Sequence, residues 1–494
     1  MTEPFPADRL GARPFTNRGI GSVGVTGSLR WWGALVVAAS LLGGFGVAQA
    51  PTVVLVAALT VAVATWWTHR PSLDRSFDLF LLVFAGVMIF GYGFANLGIA
   101  GSVPLPLADV VLVVLVPFVL RTRMSAGSAR APFVLAVAFV GFAFARLVFD
   151  LPTWGLDALR DFTLPFEIGY LAVAYQLAKA ISLDRIRRAL AWILGVVVLY
   201  NALLTAFPRL VNVSPTVGLS HSVSLLSGAN GPALVAAFLF FAIVRPFGRV
   251  SYPLSAIALA LNAVSESRGL YVGLPIVLLL VWITSRRSGN ARRGLRASLV
   301  WGVIALALLL LAAPQGRLGR VTPSFIVAQA STLWGRQGPG AGSLVSREKW
   351  IGTVRQAVDA TPTGWAFGVG LGPDLAGGAR SATGVLIRKP HNDFLEIFGR
   401  YGALGFILFT GFLLVSWVRL TRLSRTADEQ IADFMLWTVG TGVIYAVIAM
   451  TQPLLAFPYG TVPLFGVLGL GLGYAARIEC SEPRARFVTL TRVR

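Results

Sequence analysis

Apolar segments of roughly 20 residues, the length that carries a helix across a bilayer, follow one another along most of this chain. WWGALVVAASLLGGFGVAQA begins at Trp31, LFLLVFAGVMIFGYGFANLG at Leu79 and VWGVIALALLLLAA at Val300. A water-soluble core does not use so many continuous apolar runs. Only 13% of the 494 residues are charged, against roughly a quarter in soluble domains. The chain therefore reads as an all-α polytopic membrane protein with about 14 transmembrane helices. The expected spans are 31–49, 51–67, 79–98, 105–120, 131–148, 163–179, 189–207, 231–245, 251–265, 269–285, 297–313, 400–418, 432–450 and 459–476.

The formal charge of +21 would suit a nucleic-acid binder only if the cations made one exposed patch. They instead fall in small groups between apolar runs, which excludes that class and points to membrane topology. With the N-terminus inside, every second loop is basic: HRPSLDR, RTRMSAGSAR, KAISLDRIRR, RPFGRV, RRSGNARRGLR and RLTRLSR, then the tail RARFVTLTRVR. Both termini are thus expected in the cytoplasm. The single cysteine, Cys480, rules out an intramolecular disulfide and a cysteine cluster for zinc.

The expected organisation is a disordered cytoplasmic tail over 1–30, transmembrane helices over 31–313, a long outer loop over 314–398, further transmembrane helices over 399–476 and a cytoplasmic tail over 477–494. Ala48, Gln49 and Ala50 resemble a signal-peptidase site, but a second apolar run follows at once, so a helical hairpin is expected. The outer loop is unusual in its length of about 80 residues, since links between helices are mostly a few residues long. Long loops on one face of a bundle tend to carry function.

Within that loop, SLVSREKWIGTVRQAVDATP, residues 343–362, has helical periodicity and stops at Pro362. Trp350, Ile351, Val354, Ala357 and Val358 share a stripe, with Arg347 near its centre. Such an arginine either meets an anion at the membrane surface or snorkels around the helix end. GWAFGVGLGPDLAGG follows; no strand precedes it, so a dinucleotide loop is excluded and a turn is expected. In KPHNDFLEIFGRYGALG, Pro390 and Asn392 or Asp393 suit a helix start. Gly402 and Gly405 lie about three and four turns beyond His391, which would place a smooth groove for a helix or a lipid chain beneath the imidazole. Upstream, SESRG puts Arg268 at the outer membrane boundary, as a functional charge or in a salt bridge to Glu266 or another acid. Arg160, Asp161, Glu167 and His221 are further candidates, His221 most simply as a loop residue.

Together these residues resemble the O-antigen ligase and O-antigen polymerase superfamily of bacterial envelope glycosyltransferases. The ligase pattern is His, then Asn, Ser or Gln, nine residues, Gly, two residues, then Gly, Thr or Tyr; His391, Asn392, Gly402 and Gly405 meet it. Ser267, Arg268 and Gly269 match the family's SRG. Arg347, Trp350 and the turn from Gly368 to Gly372 match its outer-loop pattern. The likeness covers roughly residues 230–475, and the count of about 14 spans departs from the twelve typical of ligases. The polymerase pattern of Arg, ten residues, Gly is met by Arg388 and Gly399, which a loop this rich in Arg and Gly satisfies easily.

The resemblance implies transfer of a glycan from a polyprenyl diphosphate carrier to the hydroxyl of an acceptor glycan or glycolipid, outside the cytoplasmic membrane, with inversion and without cofactor or metal. Arg268 and Arg347, with Arg160, would stabilise the leaving diphosphate, and His391 would be the general base. Asn392 and Arg388 would contact substrate, and the Gly402–Gly405 groove would take the prenyl chain. Rival readings are a polymerase of the same superfamily, a secondary transporter or flippase using Asp109, Glu167 and the arginines as an ion or substrate path, and a scaffold subunit.

Overall fold

In the computed structural model, described over residues 73–99, 105–121, 130–218, 223–226, 230–264, 268–285, 289–312, 320–331, 342–380 and 387–490, the apolar runs form helices. All these residues lie within one unit, Leu59–Arg494. Helices of nine residues or more are α1 (Leu73–Phe90), α2 (Leu107–Arg121), α3 (Arg130–Trp154), α4 (Gly169–Ala180), α5 (Leu183–Ala206), α6 (Gly231–Leu239), α7 (Ser251–Val264) and α8 (Arg268–Thr284). They continue with α9 (Gly289–Ala312), α10 (Pro323–Ser331), α11 (Gly342–Asp359), α12 (Asp393–Leu423), α13 (Glu429–Ala449) and α14 (Pro458–Leu490). The described strands make two antiparallel two-residue ribbons, pairing Gly98–Ile99 with Leu105–Pro106 and Thr216–Val217 with Val223–Ser224.

Among the described residues, six helices are long and apolar enough to cross a membrane: α3, α5, α9, α12, α13 and the Pro458–Glu479 part of α14. Leu107–Val116, Gly231–Val244 and Gly269–Thr284 are apolar but shorter. The architecture is therefore that of an all-α membrane protein, with fewer full-length spans than the about 14 expected. Two breaks account for part of the difference. Gly91, at φ 52°, ends α1 and starts the single turn Tyr92–Ala95. The run over 163–179 is interrupted at Ile168, between the short helix Thr163–Glu167 and α4. The expected spans 31–49 and 51–67 and the N-terminal tail lie outside the described residues. At the other end, the expected tail continues α14 as helix to Leu490.

Burial sorts the helices into inner and outer. The most apolar windows of α13 and α14 are each 89% buried, whereas that of α9 is 17% buried, so α13 and α14 form the centre and α9 lies at the margin. Outward-facing positions are apolar too: Phe149 is 77% exposed, Leu311 84% and Ile407 63%. Exposed aliphatic and aromatic side chains on so many outer helix faces fit hydrocarbon rather than water. Close packing at the centre uses small residues. A Cβ on Gly469 would lie 2.4 Å from the Leu171 carbonyl oxygen, and one on Gly473 would lie 2.6 Å from that of Tyr175, so α14 and α4 pack almost backbone to backbone.

The long loop is partly helical and anchored on α12. Val354 and Val358 of α11 are buried with Leu375 and pack against Leu395 and Phe398. Trp350 joins this face at 6% exposure, whereas Ile351, expected on the same stripe, is 53% exposed. The buried ridge is thus narrower than the sequence spacing suggested, and Ile351 falls on its open side.

Candidate active site

The site is organised by the start of α12. Asn392 has extended backbone, and its side-chain oxygen accepts from the Leu395 N–H at 3.0 Å, the N-cap arrangement that satisfies a first-turn donor. His391 is thereby fixed immediately before the first helical turn. Asp393, buried in that turn, accepts from the Leu455 N–H at 2.6 Å, which holds the segment after α13 beside it.

That segment gathers motifs that are far apart in sequence. Arg347 Nη2 donates to the Thr451 carbonyl oxygen at 2.9 Å. A Cβ on Gly269, at the N-terminus of α8, would lie 2.5 Å from Thr451 Oγ1. Trp350, nearly one turn beyond Arg347, meets the His391 ring edge-on, with centroids 4.7 Å apart and planes at 71°. The glycine of the SRG junction, the loop helix α11 and His391 therefore converge. The side chain of Arg268 lies outside the described residues, as does His221.

His391 is half-buried, and burial together with the Arg347 charge lowers its pKa below the ordinary 6.5. At neutral pH the ring is consequently uncharged, with a nitrogen lone pair available. A neutral imidazole beside a fixed guanidinium can accept a proton from one group while the cation attracts negative charge on another.

The glycine-rich turn supplies walls rather than a phosphate cradle. Its amides are already engaged: Leu371 N–H donates to Asp150 at 2.7 Å and Gly372 N–H to Asp161 at 3.0 Å. The turn also runs along α12, with Val369 N–H on the Gly399 carbonyl at 2.8 Å and Gly370 N–H on that of Arg400 at 3.0 Å. Gly402 makes this possible. At φ 63° and ψ −165° it kinks α12, and a Cβ there would lie 2.4 Å from the Ala366 carbonyl carbon. This corrects the expected lipid groove: Gly402 and Gly405 are both buried, and the space over Gly402 is filled by the chain's own Ala366–Gly368 backbone. The helix is not straight, so a stripe counted from His391 does not continue through Gly402.

Behind His391 lies a charge cluster. Arg400, 1% exposed, donates through Nε to Glu396 at 2.8 Å and pairs through Nη1 with Asp161 at 2.8 Å. Lys389 Nζ lies 3.5 Å from Glu396 and 3.9 Å from Asp161. Arg388 pairs with Asp157, lies 3.9 Å from Asp161 and donates to the Gly372 carbonyl. Burial, and then Arg400, lowers the Arg388 pKa. Its partners within the protein make Arg388 a strut between the loop and the Leu156–Asp161 helix. Arg160, one residue from Asp161, is exposed and turned out of this cluster, and its carbonyl accepts from Thr163 Oγ1 at 2.7 Å.

Lys389, Glu396 and Arg400 are not among the candidates named from the sequence, and the structure brings them together around Asp161, which is. The sequence carries a signal for two of them: Glu396 and Arg400 are spaced i,i+4 where α12 enters its long apolar run, and charges at such a point are rare and need partners. Elsewhere, Glu167 is fully buried and accepts from Thr461 Oγ1.

A scan against models of protein families gives no match for this chain, and a search of curated proteins gives none either.

Proposed function

We propose that this protein is a membrane glycosyltransferase that moves a glycan from a polyprenyl diphosphate carrier to an acceptor hydroxyl at the outer face of the cytoplasmic membrane. The observation that carries this reading is the half-buried His391 ring packed edge-on against Trp350 at the start of α12, with Arg347 of the same loop helix close enough for its charge to favour the uncharged imidazole. In the reaction, the acceptor O–H gives its proton to His391 while its oxygen forms a bond to the anomeric carbon. The bond from that carbon to the diphosphate oxygen breaks, and the electron pair leaves with the lipid diphosphate. Arg347, and Arg268 by the resemblance, stabilise that developing charge. Attack opposite the leaving group inverts the anomeric centre. The apolar outer faces of the helices keep a prenyl chain in the bilayer beside the site.

The test is glycan transfer by inserted His391→Ala and Arg347→Ala variants; transfer at the unaltered rate would remove the mechanism. Loss of the protein, followed by mass spectrometry of the carrier lipids, separates two forms of the reaction. Accumulated long unattached polymers indicate a ligase, and single repeats on the carrier a polymerase. A transporter reading would use the acids Asp109 and Glu167 and requires uptake into proteoliposomes with no covalent product.

A further inference from the structure

Helices α8 and α9 bring two arginines onto one indole. Arg292 and Arg296, one turn apart on α9, each hold the guanidinium carbon 4.9 Å from the centre of the Trp282 ring, near the end of α8. Arg292 Nη2 also donates to the Trp282 carbonyl at 3.1 Å, satisfying an acceptor in the last turn of α8. Two like charges at i,i+4 repel, and no acid relieves them. The sequence has no Asp or Glu between Glu266 and Glu348. Among the described residues no carboxylate comes within ion-pair distance of either guanidinium. Arginines that served only to set topology would be free in water. Stacking on Trp282 instead holds this pair in place, so an anion arriving there has little left to order.

The position of the pair on the helices selects the anion. From Gly269, which lies against Thr451, α8 runs about 20 Å to Trp282. The pair therefore sits at the other end of α8 from the His391 site, on the side where the short basic loops fall. Further along α9, Val303 falls on the helix face midway between Arg292 and Arg296, and Val300 lies beside it; both are exposed. On α8, Leu279, nearly one turn before Trp282, is exposed as well. The two cations thus stand at the end of an outward-facing apolar strip. A free phosphate would engage the guanidiniums and leave that strip unused, whereas a lipid with an anionic headgroup fills both. Trp282, half-buried, suits the headgroup level. We propose that Arg292, Arg296 and Trp282 form a binding site for an anionic phospholipid, its phosphate on the two guanidiniums and an acyl chain along Val300 and Val303. The site is separate from His391, and the proposal does not depend on glycan transfer.

Native mass spectrometry of the detergent-purified full chain, titrated with phosphatidylglycerol, phosphatidylcholine or inorganic phosphate, reads the binding directly. The expected result is retention of phosphatidylglycerol in clear preference to phosphatidylcholine. Arg292→Gln with Arg296→Gln should weaken that retention roughly thirtyfold, from about fivefold for each cation at a membrane surface. Trp282→Leu keeps both charges but removes the ring that holds them, and should weaken it roughly three- to tenfold. Arg293→Gln is the control: it takes one charge from the same helix, but from a side chain turned to Asn290 and the Gly289 carbonyl, and should leave binding nearly unchanged. A loss in Arg293→Gln as large as in Arg292→Gln or Arg296→Gln alone would show diffuse attraction to a basic surface and overturn the proposal. So would equal retention of phosphatidylcholine, and so would displacement of the lipid by inorganic phosphate, which would make this an anion site with no use for a chain.

Discussion

Asp161→Asn isolates the charge that links the loop, α12 and the Leu156–Asp161 helix. The carboxylate is 3% exposed and lies 2.8 Å from an Arg400 guanidinium that is itself 1% exposed. Asparagine keeps the size, and its carbonyl can still accept from Gly372, so the loss is almost purely of charge. Removing one partner of a buried ion pair costs about 3–5 kcal/mol, because the other charge stays buried without compensation. Here Glu396 remains 2.8 Å from Arg400, so the lower end, about 3 kcal/mol, is expected. Equilibrium unfolding in mixed micelles, followed by tryptophan fluorescence, measures it. A loss below about 1 kcal/mol for Asp161→Asn, the size of a solvent-exposed pair, would refute the reasoning by showing that water screens the cluster.

Gly402→Ala should destabilise by at least about 1–3 kcal/mol from overpacking, with the positive φ adding strain, and the same unfolding assay reads it. Asn392→Ala removes a helix cap and should cost about 1 kcal/mol, with Asn392→Asp restoring it. For His391 the depressed pKa fixes the sign: the base is competent at neutral pH, and transfer should fall as pH drops through a midpoint below 6.5. Arg347→Gln removes a charge that opposes protonation, so that midpoint should move to higher pH; a limb that stays in place would separate Arg347 from His391.

The helices and the placement of His391 were legible because they depend on local rules. Apolar runs become helices in a bilayer, and Pro390 with Asn392 starts α12 where a cap residue can satisfy its first donors. The breaks at Gly91, Ile168 and Gly402 were not legible, because nothing local requires a helix to kink there. Gly402 turns to a positive φ only because the Ala366–Gly368 backbone, distant in sequence, lies over it. A spacing argument that assumes a straight helix must fail at such a point. Likewise, the glycine-rich turn announced tight backbone, but only the fold reveals that Asp150 and Asp161 take its amides. The i,i+4 pair Glu396 and Arg400 shows the opposite case, a polar signal in an apolar helix that sequence alone can weigh.

The central claim is that His391 and Arg347 act together in glycan transfer. It is tested most directly by the purified protein in proteoliposomes with a polyprenyl diphosphate-linked glycan and an acceptor, following the covalent product and the released carrier together. The account predicts both products from the unaltered protein, and a drop on the order of a hundredfold or more for His391→Ala, the usual range for losing a general base, with correct insertion retained. Transfer by His391→Ala at the unaltered rate, or movement of the glycan across the membrane with no covalent product, would contradict it.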